Sequence, residues 1–387
     1  MATELPPELC SQIALYVALP DLPAFTLVCK RAAEAGVPVL YRHILFSPRT
    51  PRSVAVRLFA TLAANKELAS LAKSLSIDWE PLPLRDCQQG SDDQRLLLTN
   101  LKNTLNLMTN LEFLLLSRQV DLNVLDHDIC LPSLTRLDAA FEPPATFLSQ
   151  HAAQLLDFRC IPEDLDSQST RICVPINFTS LQHLSTTVDI AESLLKNDQC
   201  NPQLRSMVLH AKVRNIAFPS CPFYTLLAEK CALLQSLCLV DWAPPAYNDE
   251  SLPPAAPHHG LRTLGLYLTY CYCVADMTCP HGAFVWEGFV GAVAPVFPNI
   301  EVLQYPCAPE FGGVEDREHL PSHMSLTTWK APEGYAKHLP RLHTVRLGNG
   351  LVYSRNEGGE FTLAHAGEPL EPPFIGIPRP LHPWVRN

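Results

Sequence analysis

One apolar phrase recurs along this chain at the spacing L-x-x-L-x-L, and it restricts the available folds more than any other feature. It reads Leu111-Leu114-Leu116, Leu134-Leu137-Ala139, Leu155-Phe158-Cys160, Leu181-Leu184-Thr186 and Leu204-Met207-Leu209. It continues as Leu234-Leu237-Leu239, Leu261-Leu264-Leu266, Ile300-Leu303-Tyr305 and Leu342-Val345-Leu347, with Ala72-Leu75-Ile77 as a degenerate earlier copy. The second and third positions are two residues apart, so on a short strand they point to one face. The first position turns in from the preceding loop to fill the same layer. One such unit buries little apolar surface, so each unit must stack on its neighbours. The intervals are short from Leu111 to Leu261 and lengthen afterwards, which implies inserted loops. Ile190–Lys196 and Phe223–Cys231 are helix-compatible segments between phrases. The Asn or Cys that closes each turn of a regular repeat is missing after most phrases. The expected fold is therefore α/β, an irregular leucine-rich-repeat-like solenoid. A generic α/β domain with leucine-rich buried strands is the other reading of the same pattern.

Composition narrows the function classes. The 387 residues include 36 Pro against 16 Gly, 47% hydrophobic residues and 18% charged ones. That hydrophobicity excludes disorder over the bulk of the chain. Proline collects in loops, five residues of it in Trp242–His259 and six in Glu368–Pro383. The net charge of −10, with no Lys/Arg-rich stretch, argues against nucleic acid as a partner. Gly265–Ala275 and Ala283–Pro298 are too short for a bilayer span of ~20 residues, and no basic-plus-apolar secretory leader opens the sequence. The expectation is an intracellular protein, cytoplasmic or nuclear or both, whose 14 cysteines are free thiols.

No sequence signal for catalysis stands out. There is no G-x-S-x-G elbow, no phosphate-cradling G-x-x-x-x-G-K-[ST] loop and no G-x-G-x-x-G. The chain is expected not to be an enzyme and to need no cofactor. Cys271, Cys273, Cys279 and His281 carry ligand types that suit zinc, but at a spacing that matches no usual finger. On a strand Cys271 and Cys273 share a face, so buried structural cysteines are the favoured reading, and no metal site is assigned. His258 and His259 fall in a Pro-rich loop and read as solvated, and Glu315-Asp316-Arg317-Glu318 reads as an exposed helix start. Between the buried strand positions, Glu112, Arg136, Asp157, Gln182, Arg205, Gln235, Arg262, Glu301 and His343 would line a concave face. Their mixed character suits a protein or peptide ligand.

The first 45 or so residues differ from the array. Pro6 and Pro7 suit the first turn of a helix, where a missing N–H costs nothing, and Leu9, Ile13 and Val17 share one face. Pro20-Asp21-Leu22-Pro23 breaks that helix, with Asp21 placed to cap the next. Leu22, Phe25 and Val28–Cys29 then mark an inner face. A third helical stretch begins at Lys30 and is expected to end near Gly36, with Val37–Ile44 as another apolar face. Arg49–Ala69 reads as a further helix with Val54, Leu58 and Leu62 in line. Three small helices cannot bury much surface alone and need a partner or the following domain. A plain helical cap on a solenoid is one reading of this segment.

This segment also resembles an F-box. Leu5-Pro6-Pro7-Glu8-Leu9 matches the family's opening Leu-Pro-x-Glu, followed by an aliphatic residue at Ile13, Asp21-Leu22, and the phrase Val28-Cys29-Lys30-Arg31. Leu40-Tyr41-Arg42 and Leu75-Ser76-Ile77 are similar to phrases in members from mushroom-forming fungi. Where the family frequently carries a Trp after the Lys-Arg pair, this chain has Ala32. The resemblance covers residues 1–48. Together with the recurring phrase and the Pro-rich end, it gives three expected parts: an F-box-like helical domain (1–48), a solenoid (49–350) and a Pro-rich C-terminal strap or tail (351–387). It also implies a substrate-recognition adaptor of a Skp/cullin/F-box ubiquitin ligase, with a Skp-type linker, a cullin-RING ligase and a protein substrate as partners. Leu5, Pro6, Glu8, Leu9, Ile13, Leu22, Val28 and Cys29 are the linker-binding positions it implies. A leucine-rich-repeat-like interaction scaffold with no ligase role is the alternative.

Overall fold

The computed structural model describes residues 5–18, 20–47, 50–78, 91–117, 124–125, 128–162, 176–197, 203–210, 222–240, 256–267, 293–305, 337–347 and 351–366. The chain divides into two compact units, parted between Leu181 and Gln182.

The first unit opens with three helices: α1 (Pro7–Tyr16), α2 (Leu22–Thr26) and α3 (Lys30–Arg42). Pro7 occupies the first turn of α1, where its missing N–H is no loss. Asp21 stands at the N-cap of α2 but makes no side-chain capping bond. The Cys29 thiol caps α3 instead, accepting from the Ala32 N–H at 3.4 Å. Contrary to the sequence expectation, α3 does not end at Gly36 but runs through it and through Pro38 to Arg42. Gly36 serves close packing: a Cβ there would lie 2.6 Å from Thr26 Cγ2 and 3.3 Å from Phe25 Cδ1. Glycine at this position lets α2 press onto α3.

From Arg42 the chain passes directly into β1 (His43–Phe46), which begins a ladder of parallel strands. Helix α4 (Arg52–Ala64) and helix α5 (Lys66–Ser70) lead to β2 (Ser74–Ile77). Asn65 separates the two helices and caps α5 through its side chain, so the single helix expected over Arg49–Ala69 is broken. The α4 residues that face inward are Ala55, Phe59 and Leu62 rather than Val54, Leu58 and Leu62. The Phe59 ring lies 5.1 Å from that of Phe46. Helix α6 (Ser91–Leu105) precedes β3 (Phe113–Leu116) and β4 (Arg136–Ala139). Helix α7 (Ala145–His151) then leads to β5 (Asp157–Cys160).

The strands stack in sequence order, and their register aligns the recurring phrase. Ile44, Leu75, Leu114, Leu137 and Phe158 form one row, and Phe46, Ile77, Leu116, Ala139 and Cys160 the next. Both rows are buried. The rows therefore begin at β1, one coil before the copies recognised in the sequence.

The second unit repeats the plan with β6 (His183–Thr187), α8 (Val188–Leu195), β7 (Ser206–His210), α9 (Pro222–Lys230) and β8 (Ser236–Val240). Strands β9 (Thr263–Tyr267), β10 (Val302–Tyr305) and β11 (Thr344–Leu347) continue the parallel ladder. Leu184, Met207, Leu237, Leu264, Leu303 and Val345 align in one buried row. The ladder then changes sense. Strands β12 (Leu351–Arg355) and β13 (Phe361–Ala366) form an antiparallel hairpin on β11, where the sequence pattern implies the start of a strap or tail. Gly359, at φ 88°, makes the hairpin turn.

The first position of each phrase is buried throughout, from Ala72 and Leu111 to Ile300 and Leu342. The carbonyl just after it receives two N–H groups from the next coil. Glu112 O accepts from Thr135 N and Arg136 N at 3.0 Å each, and Gln235 O accepts from Arg262 N and Thr263 N at 2.9 Å each. A second link replaces the missing turn-closing Asn or Cys. The residue before the first leucine bonds the previous coil: Asn110 to Ser70 O (2.8 Å), Ser133 to Thr109 O (3.0 Å) and Asn299 to His259 O (2.9 Å). These bonds satisfy turn carbonyls that would otherwise face the next coil unpaired.

Candidate functional site

The α1 helix places small residues inward and large apolar ones outward. Cys10 and Ala14 are buried where α1 meets α3, whose own buried positions are Ala32 and Gly36. Leu9, Ile13 and Tyr16, at i, i+4 and i+7, form a stripe on the exposed side, and Tyr16 is 90% exposed. An ordinary surface helix has the opposite polarity. Leu5 and Leu15 are also exposed, as are Leu27 (86%) and Val28 (75%) in the turn between α2 and α3. Arg31, in the first turn of α3, donates to the Leu5 carbonyl at 3.0 Å. That bond holds the start of α1 beside the start of α3, the end at which Leu27 and Val28 stand. Seven large apolar side chains in one short helical segment mark an interaction surface rather than scattered exposure.

The linker-binding positions implied by the F-box resemblance fall into three groups. Leu5, Pro6, Glu8, Leu9, Ile13 and Val28 are exposed. Leu22 is fully buried and anchors α2, on the inner face expected for it, so it is not presented to a partner as a linker-binding position would be. Cys29 is exposed, with its sulfur engaged as the α3 cap. Val28 departs from the inner face expected for it. Tyr16, Leu15 and Leu27 were not among the expected positions. Their signal was present in the sequence as apolar residues beside Cys10 and Ala14, but small residues are weak markers of a buried face.

The strand residues between the inward rows carry matched charges. Arg136 and Asp157, opposite each other on β4 and β5, pair at 2.8 Å, and Asp138 pairs with Arg159 at 3.4 Å. Burial pushes the Asp138 carboxyl above its usual range and Asp78 adds to this, while the Arg159 guanidinium pulls it back. Burial likewise raises Glu142. At the rim, Lys73 pairs with Glu112 at 2.6 Å and Arg262 with Glu301 at 3.6 Å. Of the nine residues expected to line a concave face, Arg136, Asp157, Glu112, Arg262 and Glu301 are thus engaged in ion pairs within the chain.

The buried titratable groups are tied into structure. His151 Nε2 accepts from Leu131 N at 2.9 Å, so the proton sits on Nδ1 and is donated to Phe147 O at 2.8 Å. Burial lowers its pKa below the usual 6.5, although the bond to Phe147 opposes this. His258 uses the opposite tautomer: Nδ1 accepts from Leu261 N at 3.2 Å and Nε2 donates to Cys231 O at 2.8 Å. His258 is 2% exposed, not solvated as the loop composition suggested, while His259 is exposed. Burial pushes the Cys238 thiol up to about 12 and raises Cys160 strongly; Cys160 Sγ donates to Phe141 O. Thiols shifted in this direction stay protonated and are poor nucleophiles.

Among the described residues no group of three or more His, Cys, Asp or Glu side chains is placed to hold a metal ion, and no helix is long and apolar enough to cross a membrane. Cys271, Cys273, Cys279, His281 and the Glu315–Glu318 cluster lie outside the described residues.

No family model matches this chain, and no curated protein matches it. Among solved structures, a chain of the yeast Rad7–Elc1 complex is similar at 12% identity and a TM-score of 0.33, covering 77% of this chain and 87% of that one. A likeness at that score carries no argument about fold or function.

Proposed function

We propose that this chain is a substrate-recognition adaptor of a Skp/cullin/F-box ubiquitin ligase, with its N-terminal helices docking a Skp-type linker and its strand arrays binding a protein substrate. The observation that carries this reading is the reversed polarity of α1, with Leu9, Ile13 and Tyr16 outward and Cys10 and Ala14 inward. Leu9 is 44% and Ile13 39% exposed, so covering what remains of each gains roughly 1 kcal/mol, before the costs of association. The F-box-like phrases that frame it supply the second support: Arg31 and Cys29 of the Val-Cys-Lys-Arg phrase order the helices by latching Leu5 and capping α3. The adaptor acts by binding, and no catalytic group is assigned to it.

One observation favours the second reading, an interaction scaffold with no ligase role. Helix α3 enters β1 without a loop and lies in the same compact unit as the first ladder, as a helical cap would. Co-purification separates the two readings. An adaptor retains a Skp-type linker when both are co-expressed, and loses it when Leu9 and Ile13 are both changed to Asp. A scaffold shows no retention in either form.

A further inference from the structure

We infer that Arg31 is a positioning residue of the docking face, setting the affinity for a Skp-type linker by fixing Leu5 at the start of α1. The inference rests on the adaptor reading of that face and adds a residue to it. Leu5 is among the linker-binding positions that the F-box resemblance implies, whereas Arg31 is not.

The start of α1 has little to hold it locally. Its N-cap is Pro6, which makes no side-chain capping bond, and neither Pro6 nor Pro7 has an N–H to give. The first bonds of the helix run from Leu9 N and Cys10 N to Pro6 O at 3.1 Å each, so they stop short of Leu5. Leu5 itself lies ahead of the helix and is 51% exposed. An uncapped helix end frays, and a residue ahead of it frays first. Leu5 is held from α3: Arg31 Nη1 donates to its carbonyl at 3.0 Å.

The place of Arg31 is not explained by its own helix. Lys30 and Arg31 stand in the first turn of α3, which carries no acidic residue. Cations at that end oppose the helix dipole. Lys30 pairs along its own helix with Glu34 at 3.8 Å, whereas Arg31 reaches a residue 26 positions away. Small buried residues bring the two helices together for that reach, Cys10 and Ala14 on α1 with Ala32 and Gly36 on α3. The Cys29 cap secures the same turn of α3. A charge that is locally unfavourable thus stands where it fixes an exposed leucine of the docking face.

Two measurements on the full chain test this. Arg31→Met keeps the aliphatic stem and removes the donor. In the free chain it speeds hydrogen exchange at Leu9 and Cys10 by about 3- to 10-fold. In titrations with a purified Skp-type linker the same variant binds about 3- to 10-fold more weakly. That loss runs through Leu5: Arg31→Met costs less affinity in a Leu5→Ala background than it does alone. With Tyr16→Ala, at the far end of α1, the two losses simply add. Arg31→Lys, which keeps a cation and a donor, retains more affinity than Arg31→Met. A cooperative thermal transition shows that each variant is folded; if Arg31→Met is not, Arg31→Gln replaces it with the same expected direction. Unchanged exchange at Leu9 and Cys10, wild-type affinity in Arg31→Met, full additivity with Leu5→Ala, or no gain in Arg31→Lys overturns the inference. A wild type that binds no linker refutes the adaptor reading and the docking role of Arg31 with it. Exchange in the free chain, which needs no linker, tells that failure from failure of the latch.

Discussion

Replacing His151 by Leu tests whether two coils of the first unit are bracketed by a neutral histidine. The imidazole lies between two coils, accepting from Leu131 N at 2.9 Å and donating to Phe147 O at 2.8 Å, at 2% exposure. Leucine fills most of the volume but leaves the Leu131 N–H unpaired in a buried position. That costs about 1–3 kcal/mol, and the lost donation to Phe147 O adds about 1 kcal/mol. The expected destabilisation of the first unit is therefore about 2–4 kcal/mol, measured by urea unfolding at neutral pH. The wild type should also be acid-sensitive in a defined direction. Because burial lowers the folded-state pKa below 6.5, both states are neutral above that value and the full contribution is present. As pH falls through 6.5 the unfolded chain takes up a proton that the folded chain resists, and stability is lost until the folded pKa is passed. Each tenfold difference in proton affinity between the folded and unfolded chain is worth about 1.4 kcal/mol, and the Leu variant lacks this loss. A variant within about 0.5 kcal/mol of wild type, or one with the same pH slope from neutral to mildly acid, would refute the bracket.

Two further outcomes follow from the packing. Gly36→Ala drives a Cβ to 2.6 Å from Thr26 Cγ2 and should lower the melting temperature, at a cost of about 1–3 kcal/mol, whereas Thr26→Ser on that background should restore much of it. No rescue would place the strain elsewhere. In the native protein at mildly alkaline pH, an alkylating reagent should label exposed Cys29 and Cys130 and spare buried Cys160, Cys231 and Cys238, as read by peptide mass spectrometry. Rapid labelling of Cys238 would contradict its burial and its pKa of about 12.

The strand rows were legible because their spacing is strict. Each L-x-x-L-x-L phrase puts two side chains on one strand face, and only one register buries both. Helix faces were harder to read. In α4 the residues Val54, Ala55, Val56, Leu58 and Phe59 are nearly all apolar, so periodicity alone does not choose a face. Contact between Phe59 and Phe46 chooses it, and that contact joins elements far apart in sequence. The same limit explains Leu22 and Val28. Both are apolar and six residues apart, yet one is fully buried and the other 75% exposed, a difference set by where α2 meets α3. The first coil was hidden because Ile44 and Phe46 follow α3 without a break and read as more helix. His258 illustrates the reverse error. Loop composition suggested solvation, whereas its two nitrogens bridge Cys231 and Leu261 in the interior.

The central claim is that the outward stripe of α1 exists to be covered by a Skp-type linker. Isothermal titration of the full chain with a purified linker of that type tests it most directly. The account predicts micromolar or tighter binding by the wild type. It predicts loss of detectable binding in the Leu9→Asp and Ile13→Asp double variant, with a cooperative thermal transition showing that this variant is still folded. An absence of binding by the wild type, or undiminished binding by the double variant, would contradict it.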